Sequence, residues 1–184
     1  MQKNTNAALT VRMMAIDAML IAMYVVLKSF SIRALNFSFT FDSFPIIVGA
    51  VLFGPLHGSL IGLLGGTMYQ LFFSGYGITL TTPLWIIPAV MRGLIVGLYS
   101  RKKGLQPSAK GLVAVNIFAG IVVTSLNTFA IYADSKVFNY FSYELVFGSL
   151  IPRFISSIII AVVFALIVPA VVKGIRKNVK LGDY

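Results

Sequence analysis

Phe53-Gly54-Pro55-Leu56-His57-Gly58-Ser59-Leu60-Ile61-Gly62-Leu63-Leu64-Gly65-Gly66 places Gly54, Gly58, Gly62 and Gly66 at four-residue spacing inside an apolar run. On a helix, positions i and i+4 share a face, so these glycines form a bare ridge. In lipid, a ridge of this kind lets a second helix backbone approach closely. The stretch therefore specifies a membrane protein of tightly packed helices rather than a lone anchor.

The rest of the chain agrees. Of its 184 residues, 58% are apolar and 11% charged, and mean hydropathy is +0.92. A soluble domain is about 45–50% apolar and about 25% charged, so the excess has no soluble core to enter. Cysteine is absent, which excludes disulfides and thiolate metal sites. The net charge of +10 lies between apolar runs near the expected membrane faces, so it points to lipid and not to nucleic acid. The first residues, Met1-Gln2-Lys3-Asn4-Thr5-Asn6, lack a cleavable signal pattern, and the first apolar run reads as a retained helix.

The fold expected is an all-α membrane protein, a six-transmembrane-helix bundle in one domain over 1–184. Its spans fall near 8–29, 43–55, 57–74, 82–99, 111–133 and 145–173. A full span needs about 20 residues. The second and third are short and read as two spans or as one broken pair around Gly54-Pro55. Orientation follows the positive-inside rule. With both termini cytoplasmic, the inside holds Lys3, Arg12, Arg101, Lys102, Lys103, Lys110, Lys173, Arg176, Lys177 and Lys180, ten of fifteen basic residues. Lys28, Arg33 and Lys136 fall outside, balanced by Asp42, Asp134 and Glu144.

No phosphate loop G-x-x-x-x-G-K-[ST] occurs, no G-x-S-x-G and no carboxylate pair, and His57 is the only histidine. An enzyme, a metal site and a resident cofactor are all disfavoured. Chemistry must instead come from a few polar groups held at membrane depth. Asp17, Arg92 and Arg153 fall inside spans, where each costs about 2.5–3.5 kcal/mol unless it faces a cavity or a partner. Arg92 and Arg153 either meet an anionic ligand group, or are neutralised internally, for instance Arg92 by Asp17, or snorkel to the headgroups. Asn127, in Thr124-Ser125-Leu126-Asn127-Thr128, bonds a ligand or a neighbouring helix, with Tyr132 one turn beyond. In the first outer loop, Phe37, Phe39 and Phe41 alternate with Asn36, Ser38, Thr40 and Asp42. In an extended segment this puts aromatics on one side and polar groups on the other, so Arg33, Asn36 and Phe39 are candidates for a lid or for an interfacial belt. The second outer loop, from Phe73 to Pro83, offers Tyr76, Thr79 and Thr81, with Trp85 beyond it, as a gate or as an ordinary loop. In the first span, Ala15, Ala18 and Ala22 give small residues for helix contact.

Six spans, the Ala18-x-x-x-Ala22 first helix, a short second span and Phe53-Gly54-Pro55 leading a glycine-rich third helix form one set. With Phe44 to Pro55 and Ala89 to Leu98, the set resembles the substrate-binding S components of energy-coupling factor (ECF) vitamin transporters, over essentially the whole chain. The resemblance implies a multi-pass subunit of a prokaryotic plasma membrane, without ATPase activity of its own. It implies a vitamin pocket built from the outer loops and the outer halves of spans four to six. It also implies partnership with a transmembrane coupling subunit, met through Ala15, Ala18 and Ala22, and with two cytoplasmic ATPases, with delivery by toppling. Folate is the first vitamin expected, from the Phe-Gly-Pro segment and Asn127-Thr128. Cobalamin and pantothenate stand close behind, because Thr82 to Pro88 replaces the folate-type stretch of the Gly-Phe-Thr-Leu-Ser kind. The alternative is a self-contained small-solute carrier or channel, which needs a polar path to the cytoplasmic side.

Overall fold

The computed structural model describes the backbone of residues 2–34, 37–75 and 77–179, with side chains over 10–30, 40–75 and 77–178. Helix α1 (Gln2–Ser29) leads into a hairpin of β1 (Ser31–Ala34) and β2 (Phe37–Thr40). The strands pair antiparallel, with Ser31 opposite Thr40 and Ala34 opposite Phe37. Then come α2 (Ser43–Phe53), α3 (Pro55–Phe72), α4 (Thr82–Lys102), α5 (Ala109–Val137), the short α6 (Tyr143–Phe147) and α7 (Leu150–Val179). Among the described residues, seven helices overlie the six apolar runs. The last run departs from expectation: it breaks at Gly148-Ser149 into α6 and α7. Four stretches are long and apolar enough to cross a membrane: Thr10–Ser29, Thr82–Lys102, Ala109–Val137 and Tyr143–Asn178.

Helix α2 is apolar on every face, which suits full enclosure. Of its 11 residues, nine are buried, and it touches α1, α3, α4 and α7. At 1.5 Å per residue it rises only about 16 Å, and the hairpin supplies the remaining height at its start. Gly54, at φ +93°, ends α2 and lets the chain reverse into α3. Pro55 then starts α3, where its missing N–H costs nothing. Gly54 thus belongs to a turn, and the helical ridge consists of Gly58, Gly62 and Gly66.

That ridge faces α4. A Cβ at Gly58 would lie 3.1 Å from Gly93 Cα, one at Gly62 2.6 Å from the Ala89 carbonyl oxygen, and one at Gly66 3.4 Å from Ile86 Cγ2. The partner numbers fall as the ridge numbers rise, so α3 and α4 run antiparallel. On α4, Gly93 and Gly97 answer with the same lack of bulk against Gly58 and Pro55. Successive long helices alternate in direction, so α1 begins and α7 ends at the same end of the bundle. The hairpin, the 73–81 loop and α6 occupy the other end.

Candidate functional site

A cavity of about 320 Å³ lies in the hairpin half of the bundle, between α1, α2, α4, α5 and α7. Each long helix gives it one stripe at helical spacing. Tyr24 and Lys28 come from α1, Trp85, Pro88, Ala89 and Arg92 from α4, Thr124, Asn127 and Ile131 from α5, and Arg153, Ser156, Ser157 and Ile160 from α7. Thr40, Asp42, Ser43 and Ile46 close it beneath the hairpin. On α5, Ser125 and Thr128 donate to the carbonyls one turn back, at 3.0 and 2.9 Å. Their hydroxyls are consumed locally, and Asn127 is left facing the cavity.

The charges around the cavity are unequal. Lys28, Arg92 and Arg153 face one carboxylate, Asp42. Lys28 Nζ donates to the Tyr24 hydroxyl at 2.9 Å, lies 5.1 Å from the Tyr69 ring centre and sits 4.0 Å from Asp42 Oδ2. This pair largely balances itself, and two guanidiniums remain. Arg92 is 6% exposed and has no carboxylate within 4.0 Å among the described residues. Arg153 Nη2 donates to the Leu145 carbonyl at 3.4 Å, while its Nη1 is buried without a hydrogen-bond partner. Ser156 Oγ, one turn along the same face, is likewise buried and unpartnered. Buried donors are nearly always bonded, so unpaired donors lining a cavity mark places where a ligand's acceptors can bind.

Of the residues singled out from the sequence, Trp85, Arg92, Asn127 and Arg153 line this cavity. Thr79 and Thr81 do not. Their hydroxyls lie 3.1 Å apart, Thr79 N donates to Thr82 Oγ1 at 2.8 Å, and Thr81 Oγ1 donates to Asp134, which also accepts from the Tyr140 hydroxyl. These groups latch the 73–81 loop to the end of α5 instead of facing a ligand. Tyr132 also lies outside the cavity, half-exposed, with its ring 5.7 Å from that of Phe141. Arg33 and Phe39 lie on the hairpin strands, with side chains outside the described ones, and Asn36 and Tyr76 lie outside the described residues. Ala15, Ala18 and Ala22 are exposed on α1.

Asp17 does not neutralise Arg92. It bonds His57 Nδ1 at 2.5 Å, because it sits two turns before Tyr24 on α1, level with the start of α3. Sequence reading missed Tyr24, Lys28, Asp42, Ser156 and Ser157. The two serines follow Arg153 at i+3 and i+4, so extending its helical face would have found them. Lys28 and Asp42 were legible only as loop charges, because what joins them is the fold of the hairpin.

The chain matches the family model described as ECF transporter, substrate-specific component, over residues 12–175. A UPF0397 protein of Enterococcus faecalis (strain ATCC 700802 / V583) is 36% identical over 110 residues, which is 52% of this chain and 57% of that protein. The match thus spans little more than half the length of this curated relative. Among solved structures, FolT bound with folic acid aligns with a TM-score of 0.62 at 20% identity, covering 88% of this chain and 94% of that one. The S-component for biotin from an ECF-type ABC transporter aligns at 0.60 and 17% identity, covering 89% and 92%. At these identities the structures share the fold. Because the family model matches 164 of its 184 residues, this chain belongs to the substrate-specific component family of ECF transporters.

Proposed function

We propose that this protein captures a vitamin in the hairpin-end cavity and passes it across the membrane as the substrate-binding subunit of an ECF importer. A transmembrane coupling subunit and two cytoplasmic ATPases supply the energy. The body topples in the membrane to release the vitamin inside. The observation that carries the proposal is a cavity confined to one half of the bundle. Every lining residue lies toward the hairpin end, while the other half is closed by Val48, Val51, Val96, Leu112, Val168 and Val172. A self-contained carrier needs a polar path through that half. A receptor that is moved as a whole does not.

Folate leads as the ligand. Trp85 offers a flat stacking face, Asn127, Ser156 and Ser157 offer hydrogen bonds, and Arg92 and Arg153 offer partners for carboxylates. Pantothenate uses the same polar groups with a smaller body. A cavity of about 320 Å³ lies at the low end of the range for small-molecule sites, which favours folate and pantothenate over the bulkier cobalamin. Titration calorimetry of the purified protein against B vitamins tests the reading. One vitamin binds with nanomolar Kd, and the protein copurifies with a coupling module when the two are coexpressed. Failure of the whole panel to bind, or uptake into proteoliposomes holding this chain alone, overturns it.

A further inference from the structure

We infer that the cavity selects ligands carrying two negative charges, either as two carboxylates or as a phosphate monoester. The inference rests on the reading of this cavity as the vitamin site. Three cationic side chains line it against one carboxylate, and that carboxylate already faces Lys28 at 4.0 Å. Among the described residues the lining thus carries two positive charges in excess, and neither Arg92 nor Arg153 has a carboxylate within 4.0 Å. They come from different helices, Arg92 from α4 and Arg153 from α7, and reach the same cavity. A guanidinium presents donors in a fixed fork that matches carboxylate and phosphate oxygens. Burying a charge without a partner is costly, and a charge inside a membrane protein normally meets a counter-group or a water-filled cavity. Arg92 and Arg153 have the cavity, so an anion entering it gains contacts without displacing an existing ion pair.

The neighbouring polar atoms fit the same chemistry. Arg153 Nη1 and Ser156 Oγ are buried donors with no acceptor among the described residues, one turn apart on the cavity face of α7. An oxyanion between them completes both. Asp42 marks the opposite sign: with Lys28 held against it, the ligand's donor-bearing end belongs there and its anionic end at α7. A neutral or cationic vitamin leaves both guanidiniums unmatched.

Matched pairs differing by charge test this in calorimetry on the full-length protein in nanodiscs. The pairs are folic acid against pteroic acid, flavin mononucleotide against riboflavin, and pyridoxal 5′-phosphate against pyridoxal; pantothenate, a monoanion, is the counter-case, and its binding tightest of all would overturn the inference. In the pair that binds, the more anionic member should bind about 10- to 100-fold tighter, the scale of one lost hydrogen bond to a charged group. The first pair reports a dicarboxylate and the second and third a phosphate. Arg92→Gln and Arg153→Gln should each erase most of the difference between the members, whereas Arg92→Lys and Arg153→Lys, which keep the charge, should retain part of it. If a neutral or cationic compound binds tightest, or the glutamine variants preserve the difference, the inference fails while the vitamin-receptor reading survives. If nothing binds, both fail.

Discussion

At Gly62 there is no room for a methyl group, because a Cβ there would stand 2.6 Å from the Ala89 carbonyl oxygen and 2.9 Å from Val90 N. These are backbone atoms and cannot rotate away. Gly62→Leu must therefore push α4 off α3, and overpacking of this sort costs about 1–3 kcal/mol. For a chain of this size that is a fall in Tm of about 2–12 °C, readable by thermal shift in detergent. Gly174 has nothing within 4 Å of its Cβ position, so Gly174→Leu is the control and should leave Tm unchanged. Equal losses in both variants would mean that the α3–α4 seam is not what the glycines protect. Asn127 works on a different quantity. It faces the cavity, and the helical hydroxyls around it are satisfied by their own backbone. Asn127→Ala should weaken vitamin binding about 10- to 100-fold and leave Tm within error. An unchanged Kd would remove Asn127 from the site.

Among the elements, the long helices were legible because an apolar run of about 20 residues has few other uses. The hairpin was legible only as an extended segment: two four-residue strands carry alternation but no statement of what they pair with. The break between α6 and α7 was not drawn, because the apolar run on either side outweighed the turn signal in Gly148-Ser149 before Pro152. The 73–81 loop shows the same limit. Its hydroxyls read as ligand groups, yet in the structure Thr79 bonds Thr81 and Thr82, and Thr81 bonds Asp134. Asp134→Ala should therefore free the loop. Amide exchange at Thr82 and Leu84, whose N–H groups bond Thr79 and Thr81, should speed up, while vitamin Kd changes less than threefold or so, the usual cost of an exposed polar contact. Unaltered exchange would show that the latch does not hold the loop. Helix α1 carries a second test. Leu20 and Tyr24 bury themselves in the bundle, and Gly65 makes room for the Tyr24 ring, whereas Ala15, Ala18 and Ala22 lie exposed beside Met14, Met19 and Met23. Ala18→Trp should keep vitamin binding intact and abolish copurification with the coupling subunit. Lost vitamin binding would place that face inside the protein's own packing.

Over the whole molecule, charge and packing divide along one axis. Arg101, Lys102, Lys103, Lys110, Lys173 and Lys177 gather where α4 ends, α5 begins and α7 ends. Arg176 fastens the same end from inside, donating to the Leu105 carbonyl at 2.7 Å and to the Val51 carbonyl at 3.3 Å. This tie joins residues 125 positions apart and left no trace in the sequence beyond one more basic residue. The pairing of Asp17 was illegible for a related reason: helical spans give the depth of a charge only coarsely, and His57 proved level with it where Arg92 did not. From the clustering of these basic residues the positive-inside rule predicts this end in the cytoplasm and the cavity end outside. The chain contains no cysteine, so single introduced cysteines report sidedness against no background. Leu80, 83% exposed in the loop between α3 and α4, and Gln106, exposed between α4 and α5, mark the two ends. In intact cells a membrane-impermeant maleimide should label Leu80→Cys and spare Gln106→Cys, and permeabilisation should make the second react as well. Labelling of Gln106→Cys in sealed cells with Leu80→Cys protected would invert the protein. The cavity would then open to the cytoplasm, where a receptor for uptake has nothing to catch.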